Sequence, residues 1–411
     1  MSSDASSSDV VARSAKPDEA VESGRLPAGT ARGSREGGRV WVRALRLEDF
    51  RNYDRLQLDL ERGLNFFVGP NGSGKTSVLE AVSYLSVARS LRGASDNEVV
   101  RWGRSGFGVG ADCGGEGSSR TIVLRYEKGA GKSVTIDGEA VGRLADLLGI
   151  VRVAWFSPED TWITKGGPGE RRRFLDMALC QLDPVYLNEL SSYRRALRQR
   201  NEALLSWAPD EESDRIVNVW TERLKSHGSV VIARRLGFLP RLRDEVARFH
   251  REISGGGDEI DIRYRSGALE RCGGESGDAA LEETAERFER ALAAVEADER
   301  RRGFTLVGPH RDDLEVRLSG RVLRTFGSQG QHRTAAIALK LGEASVLDAG
   351  GGGVVVLLDD ILSELDDERG SALVGIVSEF GQALVTSTRE GPPEMRRAAT
   401  FRVTAGEVAR A

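Results

Sequence analysis

The stretch LNFFVGPNGSGKTSVLE, residues 64–80, decides the fold predicted for this chain. Leu64–Val68 is a short apolar run typical of a buried strand, and the apolar residues of Ser77–Ala88 recur at helical spacing. The glycines between these segments match the P-loop pattern G-x-x-x-x-G-K-[ST]. The stretch therefore predicts a strand, a phosphate-binding loop and a helix in succession.

The residues of this loop suit the binding of a nucleoside triphosphate. Glycine lets main-chain amides approach a phosphate, a helix start adds partial positive charge, and Lys75 adds a full one. Thr76 offers a hydroxyl to Mg²⁺. A glycine-rich turn with an exposed lysine is the alternative, which the strand and helix context disfavours. ATP is predicted to bind at Gly69, Pro70, Asn71, Gly72, Ser73, Gly74, Lys75 and Thr76.

Bulk composition fits a folded protein with two lobes. The chain has 411 residues, of which 30% are charged and 39% hydrophobic. Its formal net charge is −4, so nucleic acid would have to be bound by local arginine clusters and not by a globally basic surface. The cysteines Cys113, Cys180 and Cys272 lack metal-ligand spacing and indicate thiols in a reducing compartment.

No stretch of the sequence indicates a membrane or an export route. No apolar run approaches the length of a transmembrane helix, and the first residues lack the apolar core of a signal peptide. Residues 1–38 are rich in Ser, Gly, Arg and acidic residues, which predicts a disordered leader. We therefore expect a cytoplasmic protein without a membrane partner.

The hydrophobic pattern changes twice and divides the chain into an α/β lobe and a helical lobe. Residues 39–168 and 303–411 read as strands and helices of one α/β ATPase lobe. Residues 169–302 carry apolar residues at helical spacing, which predicts an inserted helical lobe. Because Pro184, Pro240 and glycine-rich segments interrupt this lobe, its helices are expected to be short.

The second α/β segment is expected to contain several shorter elements. Strands are predicted at Leu314–Leu318 and Val322–Phe326, a helix from about Thr334 to Leu347, and a last edge strand at Phe401–Val403. Val354–Leu358 is a continuous apolar run, which is typical of a parallel strand buried on both faces.

Two carboxylates end that buried strand and predict the second half of a hydrolytic site. Asp359 is placed to hold Mg²⁺ alongside Thr76, directly or through a water. Asp360 is placed to polarise the attacking water. A solvated turn is the alternative, but ionised carboxylates at the end of an apolar strand are costly without a cation. Lys75 and Asp360 are therefore predicted as catalytic residues, and Thr76 and Asp359 as Mg²⁺ ligands.

The order of these motifs resembles that of the ABC-type ATPases. Ser328-Gln329-Gly330-Gln331 is similar to their signature loop, and Ser363-Glu364-Leu365-Asp366, after the buried strand, is similar to their D-loop. Within that superfamily the chain resembles the RecF family of bacterial recombination mediators over nearly all of residues 40–405. The resemblance implies an ABC-type P-loop ATPase head with an inserted helical lobe. Its other supporting stretches are Phe50–Tyr53, Phe156–Asp160, Arg171–Asp176, Gly308–Leu314 and Leu358–Asp360.

The resemblance implies that ATP joins two copies of the chain. The P-loop of one copy and the signature loop of the other would hold each nucleotide, so ATP would stabilise the dimer and hydrolysis would release it. Arg51 and Asn52 would contact the nucleotide, with ordinary surface polarity as the alternative. The signature residues acting in trans would be Ser328, Gln329, Gly330 and Gln331.

Several positions depart from the general ABC pattern. Asp360 stands where most members have glutamate, the Ser157–Asp160 segment lacks the usual glutamine, and Thr386–Thr388 occupies the position of the switch histidine. The signature loop also lacks the second of its usual two glycines. These departures indicate a weak ATPase that acts as a clock and not as a motor, and the resemblance implies that DNA stimulates it.

DNA binding and its partners are further implications of the resemblance. The family acts in replication and recombinational repair, recognises double-stranded, gapped or junction DNA, and helps to load the recombinase with RecO and RecR. Phosphate contacts are predicted from arginines interspersed with Tyr186 and Tyr193. For each arginine a solvated helix face is the alternative. The predicted DNA contacts are Arg89, Arg92, Arg171, Arg172, Arg194, Arg195 and Arg198.

Three other classes of protein are alternatives. An SMC-type head would carry long heptad arms, which are missing from the sequence. A transporter ATPase subunit would keep the glutamine and the switch histidine, and would lack the helical insertion. A nucleotide-gated module without turnover differs only in hydrolysis, so phosphate release with and without duplex DNA separates it from an ATPase.

Overall fold

The computed structural model describes residues 39–115, 119–270, 281–349, 351–389, 395 and 398–411. The predicted leader at residues 1–38, Cys272 and the glycine-rich segment near Gly274 therefore lie outside the described residues. Across the described ranges, none of the helices is long and apolar enough to cross a membrane.

The described part of the chain folds into strands and helices that alternate in three segments. The strands are β1 (Trp41–Phe50), β2 (Tyr53–Asp59), β3 (Gly63–Val68), β4 (Gly106–Gly114), β5 (Arg120–Glu127), β6 (Gly131–Ile136), β7 (Glu139–Ala140), β8 (Val153–Phe156), β9 (Ile260–Arg265), β10 (Asp313–Leu318), β11 (Arg321–Val322), β12 (Val354–Asp359), β13 (Gly381–Ser387), β14 (Ala399–Thr404) and β15 (Glu407–Arg410). The helices are α1 (Lys75–Val87), α2 (Asp96–Val99), α3 (Thr161–Lys165), α4 (Pro168–Leu182), α5 (Pro184–Leu205), α6 (Glu211–Ser254), α7 (Gly267–Glu270), α8 (Leu281–Arg302), α9 (Leu323–Phe326), α10 (Gln329–Asp348) and α11 (Asp367–Ser378).

The strands form three sheets. In the first, β2, β1, β4, β5, β6 and β7 lie side by side and pair antiparallel. The second has the order β15-β14-β3-β13-β12-β8, and its neighbours are parallel except for the edge pair β14 and β15. The third is antiparallel, with the order β11-β10-β9. The second sheet places β3, which leads into the P-loop, one strand away from β12.

The apolar run of β12 is buried on both faces, as the sequence predicts. Val355 and Leu357 belong to the core that includes the first sheet and α1. Val354, Val356 and Leu358 belong to the core that includes α4, α5, α6, α8 and α10. Successive side chains of a strand point to opposite faces, so a strand between two cores requires an uninterrupted apolar run.

The region predicted as a helical lobe contains a strand. β9 pairs antiparallel with β10, so residues from 169–302 and from 303–411 form one sheet. One apolar core also joins α4, α5, α6 and α8 to the parallel sheet. The helices lie where the sequence predicts them, but they share their core with the α/β lobe. The division at residues 302 and 303 stays a prediction.

The prediction that Pro240 ends a helix is wrong. α6 runs through Pro240 over 44 residues, roughly 66 Å at 1.5 Å per residue. The missing N–H of an interior proline costs one helical hydrogen bond. α6 contacts α5, α8 and α10 and buries residues from Val217 to Ile253. This burial along the helix outweighs the local cost of Pro240.

Three predictions near the C-terminus are corrected by the structure. In the predicted strand Val322–Phe326 only Val322 is extended, because Leu323–Phe326 forms the short helix α9. α10 begins at Gln329 and not near Thr334, because Ser328 caps it. β14 is not an edge strand, because β15 pairs along it.

Candidate nucleotide-binding site

The loop between β3 and α1 requires glycine at two positions. Gly74 has a left-handed φ of +114°, and a Cβ there would lie 2.5 Å from Asn52 Nδ2. A Cβ at Gly69 would lie 2.1 Å from the main-chain oxygen of Val403 in β14. Backbone conformation and space therefore select glycine in this loop. α1 begins at Lys75, which leaves the unpaired N–H groups of its first turn at the end of the loop.

The turn between β1 and β2 supports the P-loop. Asn52 Nδ2 donates a hydrogen bond to the main-chain oxygen of Ser73 at 3.1 Å. Tyr53 Oη donates to the main-chain oxygen of Gly74, also at 3.1 Å. Both side chains hold carbonyl groups of the loop in place. Asn52 also lines the cleft beside the loop, where the sequence places it.

Arg51 is tied to α1. Its Nε and Nη2 donate to the two carboxylate oxygens of the fully buried Glu80, at 2.8 and 2.7 Å. Nη1 donates to the main-chain oxygen of Glu98 at 2.8 Å. These hydrogen bonds to the Glu80 carboxylate raise the pKa of Arg51. Arg51 lines the cleft as predicted, but these contacts fix it to the protein, and a nucleotide contact stays a prediction.

Lys75 is buried beneath the loop. Its Nζ donates to the main-chain oxygens of Gly69 and Pro70, at 2.7 and 2.9 Å. Burial lowers the pKa of Lys75, and the nearby carboxylates of Asp360 and Asp359 oppose that shift. The ammonium group is therefore held at the P-loop by carbonyl groups that a phosphate oxygen can replace as its partner.

A hydroxyl and a carboxylate join the two halves of the predicted site. Thr76 Oγ1 donates to Asp359 Oδ1 at 2.7 Å. Thr386 Oγ1, on the neighbouring strand β13, donates to the same oxygen at 2.9 Å. Burial raises the pKa of Asp359, while these two hydrogen bonds lower it. The prediction that Asp359 lies beside Thr76 agrees with this geometry.

These oxygens suit Mg²⁺, a hard cation that takes one or two protein ligands together with substrate phosphates. Thr76 and Asp359 would hold it, because their oxygens already lie within hydrogen-bond distance of each other. Among the residues that the structure describes, no group of three or more His, Cys, Asp or Glu residues is placed to bind a metal. The phosphates of a nucleotide would therefore have to complete the ligand set.

Asp360 has an unusual backbone and an unpaired oxygen. Its φ is +51°, a left-handed conformation that costs a non-glycine residue of the order of 1 kcal/mol. Its main-chain N–H donates to Thr386 Oγ1 at 2.9 Å, which helps to fix this conformation. Asp360 Oδ1 is buried without a hydrogen-bond partner among the described residues. Asp360 therefore has an acceptor free for a ligand or a water.

The P-loop, Asp359 and Asp360 line one cleft of about 460 Å³. Val100 and Trp102 are its only apolar side chains among the described lining residues. Trp102 is 99% exposed. Two main-chain hydrogen bonds hold the segment that carries Val100 and Trp102 against the end of β1. The N–H of Arg51 donates to the oxygen of Val99, and the N–H of Arg101 donates to the oxygen of Asp49, both at 2.8 Å.

The signature segment lies at an exposed helix start. Ser328 Oγ accepts from the N–H of Gln331 at 3.2 Å, and Gln331 Oε1 accepts from the N–H of Ser328 at 2.9 Å. This capping box begins α10. Ser328, Gln329 and Gly330 are exposed. None of the four signature residues lines the P-loop cleft of the same chain as it is described.

The predicted DNA-contact residues differ widely in exposure. Arg89, Arg92, Arg194, Arg195 and Arg198 are exposed. Arg89 donates to the sulfur of Met177 at 3.2 Å.

The other four residues named in that prediction are buried or half-buried. Arg171 is 4% exposed and donates to both carboxylate oxygens of Asp313, at 2.6 and 2.9 Å. The prediction that Arg171 contacts DNA is therefore wrong in this fold. Tyr186 and Tyr193 are also buried, so neither can stack on a base. Arg172 is half-buried and donates to the main-chain oxygen of Asp312 at 2.7 Å.

Sequence reasoning missed four residues around the site. The sequence indicates only that Thr386–Thr388 stands where the ABC pattern has a histidine. In the structure Thr386 lies near the end of β13, beside Asp359. Tyr53 and Glu80 act through contacts that no local pattern reveals. Trp102 carried one available signal, since it is a large apolar residue in a polar segment.

A parallel sheet with a P-loop and a nearby buried carboxylate is the core of a P-loop ATPase, and similar proteins show that this one is an ATPase head of the ABC type. Residues 41–407 match the family model described as the RecF/RecN/SMC N terminal domain. A solved Smc head domain from Pyrococcus furiosus has the same fold, with a TM-score of 0.51 at 14% identity over 90% of this chain and 96% of that one.

Proteins with higher sequence identity to this chain identify the family within this class. A DNA replication and repair protein RecF from Chloroflexus aurantiacus is 39% identical over 376 residues, which is 85% of this chain and 93% of the relative. The RecF of Bacillus thuringiensis is 36% identical, over 90% of this chain and 98% of its own. A solved structure of the recombination mediator protein RecF with ATP matches with a TM-score of 0.82 at 28% identity, over 92% and 100% of the two chains. The chain belongs to the RecF family.

Proposed function

We propose that this protein is an ATP-dependent DNA-binding ATPase of DNA replication and recombinational repair, and that ATP controls its dimerisation. The contact between Thr76 and Asp359 carries the proposal, because it joins the P-loop to the carboxylate of β12 in one cleft. Relatives named DNA replication and repair protein RecF support the biological role. A related RecF structure holds ATP.

The carboxylates of Asp359 and Asp360 would have different roles in ATP hydrolysis. Mg²⁺, when bound at Thr76 and Asp359, would neutralise charge on the phosphate oxygens. The free oxygen of Asp360 would orient a water and accept its proton. Aspartate is one methylene shorter than glutamate, and Thr386 brings no imidazole to this point. Both features favour slow turnover.

The adenine base would stack on Trp102. A nucleotide held by the P-loop has a polar triphosphate and a flat apolar base, and the described cleft offers apolar surface only at Val100 and Trp102. Stacking of a base on an aromatic side chain is worth about 1–3 kcal/mol. An indole that is 99% exposed is free to make this contact.

The exposed signature loop supports a dimer joined by ATP. Ser328 and Gly330 face solvent at the start of α10, where helix N–H groups favour an anion. Because the P-loop cleft is completed by no signature residue of the same chain, as far as that chain is described, a second copy would supply one. Binding of ATP at this junction stabilises the dimer by mass action.

Sedimentation of the purified protein with ATP, with ADP and without nucleotide tests this proposal. We expect the wild-type protein to dimerise with ATP but not with ADP or without nucleotide. Lys75→Ala should not dimerise, and Ser328→Arg should bind ATP as a monomer. The serine variant is the informative one, because its P-loop is intact. A Ser328→Arg protein that still dimerises with ATP contradicts a shared nucleotide site.

DNA binding would use the exposed arginines on α5 and beside α1. Arg195 and Arg198 lie on α5, and Arg89 and Arg92 follow α1. Contacts of this kind bind phosphates without base specificity. Double-stranded, gapped or junction DNA in the cytoplasm would be the substrate. RecO and RecR would be partners, because solved relatives are described as the recombination mediator of the RecFOR pathway.

A further inference from the structure

We propose that a second, arginine-lined cavity, separate from the P-loop cleft, binds a phosphate-bearing ligand. The cavity measures about 580 Å³, a size typical of ligand pockets. It lies between the loop after α1, the helices α4 and α5, and the turn at Pro309 and His310. Two stretches that carry the family resemblance, Arg171–Asp176 and Gly308–Leu314, meet at its wall. The proposed ATPase cycle assigns this cavity no role, but Arg89 is also one of the proposed DNA contacts, so a strand end as the ligand rests on the proposed DNA binding, while tripolyphosphate binding does not.

The wall of the cavity carries an excess of positive charge. Five arginines line it and Asp176 is the only acidic residue among its described lining residues. Asp176 is already occupied, because Arg235 and Arg194 each donate to it at 2.8 Å and Tyr186 Oη at 2.5 Å. The arginines are Arg89, Arg172, Arg173, Arg194 and Arg235.

Three of these guanidinium groups donate only to neutral acceptors in the described contacts. Arg89 binds the sulfur of Met177, Arg172 a main-chain oxygen at 2.7 Å, and Arg173 the main-chain oxygen of Leu91 at 2.8 Å. Burial and the charge of Arg235 lower the pKa of Arg172, although nearby carboxylates oppose the shift. Arg172 is half-buried, and a partly buried cation is stabilised when an anion joins it, whereas Arg89 and Arg173 are exposed and accessible to a ligand.

The rest of the wall is rigid and adds no further charge. Arg235 donates to the main-chain oxygen of Pro309 at 2.8 Å and fixes the turn. The ring of His310 contacts Tyr193 Oη at 2.5 Å. Burial lowers the pKa of His310 to about 4, so this side chain is neutral at pH 7. Asp312 lies behind the wall and accepts from Tyr264 Oη at 2.6 Å.

A phosphate group fits this chemistry best. Planar guanidinium groups bind phosphate through paired N–H donors, and several of them can share one phosphate or a chain of phosphates. The phosphate can come from the end of a nucleic-acid strand or from a free polyphosphate. Both sources present the same group to Arg89 and Arg172.

The experiment uses the full chain with Lys75→Ala, so that the P-loop does not compete. Titration calorimetry at fixed salt measures binding of inorganic tripolyphosphate, of a 5′-phosphorylated duplex and of the matching 5′-hydroxyl duplex. Arg89→Gln with Arg172→Gln removes two charges from the cavity. Arg125→Gln with Arg241→Gln removes two exposed charges elsewhere and is the matched control.

We expect the cavity variant to lose at least tenfold in tripolyphosphate affinity, and the control to lose none. If a strand end is the ligand, the 5′-phosphorylated duplex binds more tightly than the hydroxyl duplex, and the cavity variant abolishes that difference. If only the free anion is bound, the two duplexes bind alike. Arg89→Gln alone, which alters only an exposed side chain, repeats the test without risk to folding. Unchanged binding of every probe in both cavity variants overturns the proposal.

Discussion

Asp359 and Asp360 are neighbours with the same side chain, but their surroundings differ. Thr76 and Thr386 donate to one oxygen of Asp359, so this carboxylate is held and suited to a metal ion. Asp360 takes a left-handed backbone conformation and keeps a buried oxygen without a described partner. Strain and an unpaired acceptor at one residue are typical of functional sites. The two carboxylates are therefore suited to different roles.

Trp102 provides a residue-scale test of the ATP site. We expect Trp102→Ala to weaken ATP binding about tenfold, because loss of one base-stacking contact removes about 1–3 kcal/mol. Displacement of a fluorescent ATP analogue measures the affinity. Tripolyphosphate, which has no base, should displace the analogue from the P-loop equally well in the two proteins after correction for the analogue's own affinity.

Trp162→Ala is the control for that measurement, because Trp162 is 59% exposed and lines a different cavity. An unchanged ATP affinity in Trp102→Ala excludes stacking on the base. If ATP binding is unchanged but the ATP-dependent dimer is lost, Trp102 contacts the second copy and not the adenine.

Asp160 provides a second residue-scale test, on pH. It caps the turn after β8 and accepts from the N–H of Ser157 at 2.7 Å. Burial raises the pKa of Asp160 to about 6, against the opposing charge of Lys340 on α10. The folded state therefore binds a proton that the unfolded state, with an ordinary pKa of about 3.9, releases at the same pH. The contribution of Asp160 to stability increases as pH falls from about 7 to 4.

Asp160→Asn should remove this dependence. The free energies of unfolding of the variant and the wild type are measured by urea titration at pH 5 and pH 7.5. We expect the variant's value, relative to that of the wild type, to be about 1 kcal/mol lower at pH 5 than at pH 7.5. Glu159→Gln, at the exposed neighbouring position, should lack this effect. If the difference in free energy of unfolding between Asp160→Asn and the wild type is the same at both pH values, Asp160 has an ordinary pKa.

At the scale of elements, α6 shows how packing overrides local preference. Pro240 is exposed on a helix that buries Leu239 before it and Leu242 after it. The capping residue Asp210 and Gly255, with a left-handed φ of +71°, set the two ends of this helix. Local capping contacts therefore fix its ends, while its continuity depends on contacts with other helices.

Pro240→Ala tests that balance. The substitution restores a helical N–H and removes the steric clash of an interior proline, which stabilises the folded state. It also increases the conformational entropy of the unfolded chain, which opposes that gain. We expect a net stabilisation of about 1–2 kcal/mol by urea unfolding, with α6 unchanged. Arg241→Ala, at the next exposed position, should change stability by less than about 0.5 kcal/mol. A destabilised Pro240→Ala protein would mean that the rigid φ of proline is required by the surrounding helices.

At the scale of the molecule, DNA binding must depend on a few surface charges, because the net charge is −4. Arg195→Gln with Arg198→Gln removes two exposed charges from α5. If both contact phosphates, the slope of log K against log salt should decrease by about 2 for duplex DNA. Fluorescence anisotropy at several salt concentrations measures it. The double variant Arg125→Gln with Arg241→Gln should keep the slope, and an unchanged slope in the α5 variant excludes this helix face.

The sequence by itself determined the P-loop, the buried strand before Asp359, the helix after the P-loop and the helical character of most of residues 169–302. Each follows from contacts within a few residues, such as a glycine turn or an alternation of apolar side chains. Only the tertiary structure decided which arginines are buried, that Glu80 holds Arg51, and that β9 joins β10. Thr76 and Asp359 lie 283 positions apart, and their hydrogen bond exists because parallel strands bring their ends to one edge of a sheet. Burial and partner choice depend on such distant contacts, which no local pattern encodes.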